Sequence, residues 1–332
     1  MENAGQESNK QDPQVTVFKL HKWYYDLLVP GDFFLFVYFG RIKLFGFSEH
    51  VLHVFKISYK NNKVLSKTYK FNPNGDDLIF NEHNIQLKGL EMGISRQDNV
   101  LKIKADNVDI DLRYIPIKNP GEEECQLVIP ANKGHQITWY PLHLKGSVSG
   151  YIKIGADNIR IEKGNGYIDH LSSNVFPLKA PVSRLYWGRI HNENLDLAYT
   201  ITTGKKENQQ WNNLIVSFSG HTFQFNQLQF SMTGLTYSEN LSLNYPQTIE
   251  IKGQNRCMTI KISIDTGEAI TESGFVNNHN GESMLKTRFL RYIAKDPRGI
   301  KFLSTADIEV DFNNQIIQLT QIPGISEVVV FN

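Results

Sequence analysis

The feature that most constrains this chain is a period of two. Val108, Ile110, Leu112 and Tyr114 alternate with Asp109, Asp111 and Arg113. Met258, Ile260, Ile262 and Ile264 alternate with Thr259, Lys261 and Ser263, and Ile308, Val310 and Phe312 alternate with Asp307, Glu309 and Asp311. Successive side chains of a strand point to opposite faces, so each segment has one apolar and one polar face, as a half-buried antiparallel sheet requires. Turn chemistry separates the segments: Asn61-Asn62, Asn72-Pro73-Asn74-Gly75, Asp106-Asn107, Asn119-Pro120-Gly121, Gly155-Ala156-Asp157-Asn158, Asn277-Asn278 and Asn313-Asn314. The best helical candidate, 282–294, lacks a sustained helical period. The expected class is all-β. Short strands at this spacing build sandwiches or barrels, and closing a barrel removes exposed edge strands.

The alternation stops in 171–184, where Pro177 and Pro181 bracket Leu178-Lys179-Ala180 in a stretch that cannot be a central strand. This divides the chain into a lead at 1–14, a first domain at 15–176, a linker at 177–184 and a second domain at 185–332. Each half suits one lipocalin-sized antiparallel barrel, a closure wide enough to enclose a small ligand. The polar lead has no apolar segment of the signal-peptide kind, and the most apolar run, 33–40, is far below the ~20 residues of a membrane-spanning helix. A cytoplasmic protein with no stable membrane insertion is expected.

Composition narrows the chemistry. Lys and Arg total 35 against 34 Asp and Glu, a net charge of +1, which gives no clustered positive charge for a nucleic-acid partner. Cys125 and Cys257 are the only cysteines, too few for a disulfide framework or a zinc ribbon. His135, His143, His170 and His191 stand singly, and His50 and His53, three apart on a strand, point to opposite faces. No cofactor or metal is expected. Aromatic residues, at 11%, are the prominent material.

Three clusters concentrate polar and aromatic groups: Trp23-Tyr24-Tyr25-Asp26, Gly164-Asn165-Gly166-Tyr167-Ile168-Asp169-His170, and Tyr186-Trp187-Gly188-Arg189 followed by Asp196-Leu197-Ala198-Tyr199. In the second, Gly164 and Gly166 permit a tight or bulged strand, and Tyr, Asp and His follow where a plain strand would favour Val or Ile.

These clusters resemble the motifs of the hydroxyneurosporene synthase-like (carotenoid 1,2-hydratase-like) superfamily of two-domain lipocalin-like proteins. A strand of the G-x-G-Y-x-D-H type closes the first domain there, a W-G-R strand opens the second, and W-Y-[FY]-D begins its decalin-forming Diels–Alderases. The likeness covers about residues 20–200. It implies two barrels side by side, with a hydrophobic ligand pocket at their interface or in the first barrel's mouth. It implies either hydration of an isoprenoid double bond or cyclisation of a polyene. Two departures stand out: Leu171-Ser172-Ser173 replaces the family's N-W-G after D-H, and Tyr199 and Ile201 occupy the positions of a Tyr-x-Asp pair. The family's proton-donating carboxylate is therefore missing, and a hydratase needs an acid whose pKa is raised by burial. Asp169 and Asp196 are the available substitutes.

The expected function is thus a cofactor-independent cyclase or isomerase acting on a small hydrophobic polyketide- or terpenoid-type substrate. Such a reaction needs a pocket that folds a flexible polyene, an advantage of up to ~7–11 kcal/mol, with donors to a conjugated carbonyl. The alternatives are a hydratase or dehydratase and a non-catalytic carrier. Tyr167, His170, Tyr199 and Asp169 are the candidate catalytic residues; Trp23, Tyr25, Trp187 and Arg189 are the candidate substrate-binding residues. Each has a plain structural reading beside it: core plugs for Trp23 and Trp187, packing for Tyr167, an inter-domain hydrogen-bond anchor for Asp169. Arg189 is expected to pair with a buried carboxylate such as Asp169 or Asp26. Trp23, Tyr25, Tyr167, Trp187 and Tyr199 are expected to gather where the two barrels meet.

Overall fold

The computed structural model describes residues 18–44, 47–58, 64–71, 78–80, 84–87, 90–93, 99–105, 107–118, 125–176, 179–239, 242–267, 269–274 and 298–331. The lead at 1–14, the helical candidate at 282–294 and the turns at 61–62, 72–75, 119–121 and 277–278 lie outside them. Among the described residues the helical structure is limited to 3-10 turns, at Asn132–Gly134 and at Lys179, and no helix is long and apolar enough to cross a membrane.

Two antiparallel sheets make up the all-β, lipocalin-like fold. The first contains β1 (Phe18–Val29), β2 (Phe33–Leu44), β3 (Phe47–Ser58), β4 (Val64–Phe71), β5 (Leu78–Phe80), β6 (Asn84–Leu87), β7 (Leu90–Gly93), β8 (Asn99–Ala105), β9 (Val108–Lys118), β10 (Leu127–Pro130), β11 (Gln136–Ile154) and β12 (Asp157–Ser173). The second contains β13 (Val182–His191), β14 (Leu195–Gly204), β15 (Gln210–Phe218), β16 (His221–Phe225), β17 (Leu228–Ser238), β18 (Leu243–Gln254), β19 (Met258–Asp265), β20 (Ala269–Gly274), β21 (Arg298–Phe312) and β22 (Gln315–Val330). In the first, β12 returns to pair with β1, so the last strand joins the first; in the second, β22 returns to β13. The three alternating segments fall on β9, β19 and β21. At the turn between β21 and β22, Asn313 and Asn314 take φ of 52° and 63°, the left-handed pair that a two-residue hairpin favours.

Alternation sends each strand's side chains into two different cores. Trp23, Tyr25 and Leu27 enter the interior of the first sheet with Leu112, Tyr114, Val148 and Ile168. Tyr199, Ile201, Ile260, Ile262 and Phe302 fill the interior of the second. A third core joins the sheets: Tyr24, Leu28, Phe36 and Phe55 from one meet Trp187, Ala198, Ile215 and Ile325 from the other. Full burial of each aliphatic or aromatic side chain contributes about 1.5–3 kcal/mol, so this third core is a large part of what holds the sheets together.

Two motif glycines are explained by close approach. A Cβ on Gly166 would lie 2.6 Å from the Tyr114 ring, and one on Gly188 would lie 2.5 Å from the Tyr199 hydroxyl. The pairing of β12 with β1 runs in unbroken register, whereas its pairing with β11 shifts in three places. The shift between Val148 and Gly150 inserts an extra β12 residue just before Gly164, the bulge its sequence allows.

Candidate functional site

The eight candidate residues separate into three compartments. Tyr167, Asp169, Trp187 and Arg189 lie at the junction between the sheets. Trp23 and Tyr25 lie inside the first sheet, and Tyr199 lies inside the second. His170 stacks on Trp23 with ring centroids 4.6 Å apart, on the first sheet's inner face. The expected gathering of rings at the meeting of the halves therefore holds for Tyr167 and Trp187 and fails for Trp23, Tyr25 and Tyr199. The reason is the period of two: residues one apart in sequence, such as Asp169 and His170, belong to opposite faces.

The junction is built from rows of directly opposed residues. On the first sheet, Tyr38, Tyr24 and Asp169 form one row across β2, β1 and β12, and Phe55, Phe36, Asp26 and Tyr167 form the next. Facing them on the second sheet, Lys301, Glu327, Trp187, Thr200 and Asn213 form a row across β21, β22, β13, β14 and β15. Tyr24 meets Trp187 edge-on at 5.0 Å between centroids, and Tyr167 lies 6.2 Å from the same indole. Arg189 crosses the junction to form a buried ion pair with Asp26, and its guanidinium carbon sits 5.3 Å over the Tyr167 ring. Arg189 thus pairs with one of its two expected partners.

Asp169 Oδ2 accepts hydrogen bonds from Trp139 Nε1 at 2.9 Å and Tyr167 Oη at 3.0 Å. Burial pushes its carboxyl up to about 6, opposed by those two donors and by Lys22. Burial pushes Asp26 up to about 7 against the pull of Arg189, with Asp169 adding to the rise. Arg189 itself is raised: burial works against its charge, and Asp26 and Asp196 outweigh it. Asp196 also receives Lys145 at 3.0 Å and bonds the His191 ring. Several polar atoms of these rows have no hydrogen-bond partner among the described residues: Tyr24 Oη, Asp26 Oδ2, Trp187 Nε1 and Thr200 Oγ1.

The first sheet's inner face carries a different group. His21 Nδ1 lies 3.2 Å from His170 Nε2, and His170 Nδ1 lies 3.0 Å from Tyr140 Oη. Burial lowers His170 to about 3, helped by His21, and burial with Lys19 and Arg41 lowers His21 to about 4, so both rings are neutral at pH 7. Tyr199 is held by donating to Ser326 Oγ at 3.0 Å. His50 and His53 do face apart: His53 Nδ1 bonds Tyr38 on the junction side, while His50 lies 6.0 Å from Phe39 of the inner core. Among the described residues no group of three or more His, Cys, Asp or Glu could hold a metal.

Sequence reasoning did not select Tyr24, Asp26, Thr200, Lys301 or Glu327 as site residues. A signal for them exists. The run Trp23-Tyr24-Tyr25-Asp26-Leu27-Leu28 and the run Ile300-Lys301-Phe302-Leu303 are apolar at both parities, which marks a strand buried on both faces. A charge inside such a run is then a buried charge.

The fold defines the class: two lipocalin-like sheets joined through a shared core. Solved structures with this fold include three of different proteins. A protein assigned as AttH from Nitrosomonas europaea superposes with a TM-score of 0.66 at 14% identity, over 94% of this chain and 92% of that one. CghA in complex with Sch210972 gives 0.64 at 9% identity, over 95% and 89%. Kievitone hydratase from Nectria haematococca gives 0.59 at 13% identity, over 93% and 88%. All three are of the superfamily that the sequence motifs resemble. The likeness at these identities is one of fold. No family model and no curated protein matches the sequence.

Proposed function

We propose that the chain is a cofactor-independent cyclase or isomerase that folds a small hydrophobic polyene or terpenoid-type substrate at the junction, with 15–176 and 185–332 as its two domains and 177–184 as their linker. The observation that carries this reading is the set of buried donors without partners on an aromatic wall: Tyr24 Oη and Trp187 Nε1, beside the rings of Phe36 and Tyr167. An apolar interior leaves such donors orphaned only at a cost of about 1–3 kcal/mol each, and a conjugated carbonyl of a bound substrate would satisfy them. The same donors would stabilise the charge that builds on that carbonyl in a cycloaddition. The rings would hold the polyene in its reactive shape. CghA, which shares the fold, is a Diels–Alderase.

A second reading, hydration or dehydration of a double bond, draws on Asp169 and Asp26. Burial holds both carboxyls far above the ordinary range, which is what a general acid for an alkene requires. Kievitone hydratase shares the fold.

Product mass separates the two. Incubated with a panel of linear polyenes bearing a conjugated carbonyl, the protein is expected to give products of unchanged mass and altered retention. Trp187→Phe is expected to slow the reaction about a hundredfold while leaving thermal stability nearly unchanged. A product differing by one water would replace the cyclase reading with the hydro-lyase one. Binding without any product, in the native protein and the variant alike, would make the protein a carrier.

A further inference from the structure

The junction holds a basic group that neither reaction uses. Lys301 on β21 is 4% exposed, and its Nζ lies 2.5 Å from Glu327 Oε2 on β22. Across the junction, Nζ lies 5.8 Å from the centroid of Phe36 and 5.9 Å from that of Tyr38. Phe36 continues this wall by stacking on Phe55 at 4.8 Å and Tyr24 at 6.2 Å. The group therefore sits at the end of an aromatic strip that runs to the orphaned donors of Tyr24 and Trp187.

Structural need explains this lysine poorly. A buried ion pair gains little over apolar residues of similar volume, and the two ions must both be stripped of water. Where a permanent buried cation is wanted, as at Arg189, the guanidinium is the better choice, since it stays charged and is more weakly hydrated. An amine differs in one chemical respect: it can lose its proton and act as a nucleophile. Burial lowers Lys301 to about 8, and Lys22 on β1 adds to the fall; Glu327 on β22 and Asp169 on β12 oppose it. His53 on β3 also faces Lys301 and is itself lowered to about 3, mainly by burial, so it stays neutral.

We propose that Lys301 forms a protonated imine with a hydrophobic conjugated aldehyde or ketone, with Glu327 as the counter-ion of that imine. The deprotonated Nζ attacks the carbonyl carbon, the C–N bond forms, and the carbonyl π pair moves to oxygen, which takes up a proton. Loss of that oxygen as water leaves the C=N bond. Starting from the ammonium, the three N–H hydrogens divide as two into the water and one onto the iminium nitrogen, so charge is conserved and no oxidant or reductant is needed. The iminium charge would remain where the ammonium charge now stands, between the Glu327 carboxylate and the faces of Phe36 and Tyr38. The conjugated chain would lie along the aromatic strip. The inference rests on the junction's admitting an apolar ligand; it is independent of which reaction occurs there.

The test uses the full chain with trans-cinnamaldehyde and all-trans-retinal as probes and all-trans-retinol as the control that cannot form an imine. A single adduct per chain is expected, with an absorption band to the red of the free aldehyde. After cyanoborohydride reduction, peptide mapping should place the added mass on Lys301. Lys301→Arg should abolish the band. Glu327→Gln should keep the adduct but move the pH at which the band collapses downwards by a unit or more. Modification spread over exposed lysines with Lys301 untouched would overturn the proposal, and mapping of the native protein decides this even if Lys301→Arg fails to fold. Retinol that quenches tryptophan fluorescence while retinal leaves Lys301 unmodified would refute the imine and keep the junction reading. Failure of both probes and of retinol to bind would end both.

Discussion

Tyr199 and Thr200 are consecutive residues of β14, and the two regions they enter treat a buried hydroxyl in opposite ways. Tyr199 enters the interior of the second sheet, lies over Gly188 and donates to Ser326, which in turn bonds Ser304 at 3.0 Å. Thr200 turns to the junction, where its hydroxyl has no hydrogen-bond partner among the described residues. The core that Tyr199 enters is apolar, and its hydroxyl chain through Ser326 to Ser304 is complete. The surroundings of Thr200 contain aromatic rings, two raised carboxyls, a crossing arginine and a buried lysine. A hydroxyl chain whose bonds are all made, as at Tyr199, marks a finished part of the core. A region that leaves several polar atoms unmatched has capacity to bind, because a buried orphan is costly unless something else satisfies it.

This contrast can be broken by experiment. The largest effect is expected at Arg189, whose removal leaves Asp26 buried without its cation. Arg189→Ala should cost about 3–5 kcal/mol in urea unfolding, and a loss below 1 kcal/mol would show that the ion pair does not tie the sheets. The next concerns pH. Asp169, raised by burial to about 6, binds a proton in the folded state that the unfolded chain has already lost, so its contribution to stability falls as pH rises from about 4 to about 6. His21, His170, His53 and His143, lowered by burial to between about 3 and 4, act the other way, and stability from them grows as pH rises towards 6.5. Asp169→Asn removes the falling component that Asp169 supplies and leaves that of Asp26, which burial raises to about 7. The slope of unfolding free energy between pH 4 and 6 should become more positive by up to about 1.4 kcal/mol per pH unit, and an unchanged slope would mean that Asp169 is ionised throughout.

Smaller effects discriminate the two hydroxyls directly. Tyr199→Phe deletes a matched hydrogen bond and should cost about 1 kcal/mol with turnover unchanged; a loss of turnover at full stability would return Tyr199 to the active residues. Thr200→Val replaces an unmatched hydroxyl by a methyl of the same shape. Stability should stay level or rise by up to about 1 kcal/mol, and a clear loss would reveal a partner for that hydroxyl.

Much of this architecture was legible in the residues. The alternations at 108–114, 258–264 and 308–312 identify strands and their inner faces, because the pleat repeats every two residues whatever surrounds it. The motif clusters pointed to Tyr167, Asp169, Trp187 and Arg189, which do meet at the junction. Trp23, Tyr25, His170 and Tyr199 were chosen from the same motifs and face elsewhere, since a motif is read along the chain and a site is assembled across it. Lys301 and Glu327 were invisible as a pair. They are neighbours only because β22 lies between β21 and β13.

By itself, then, the sequence determined that the chain is all-β and that its strands have distinct faces. Pleat periodicity and turn chemistry are local properties, carried by a few adjacent residues. Which face of β1, β12, β13 and β14 would look into its own sheet's interior and which would look at the other sheet was decided only by tertiary structure. Packing between residues as distant as Asp26 and Arg189 sets that choice, and no local pattern encodes the partner across the gap.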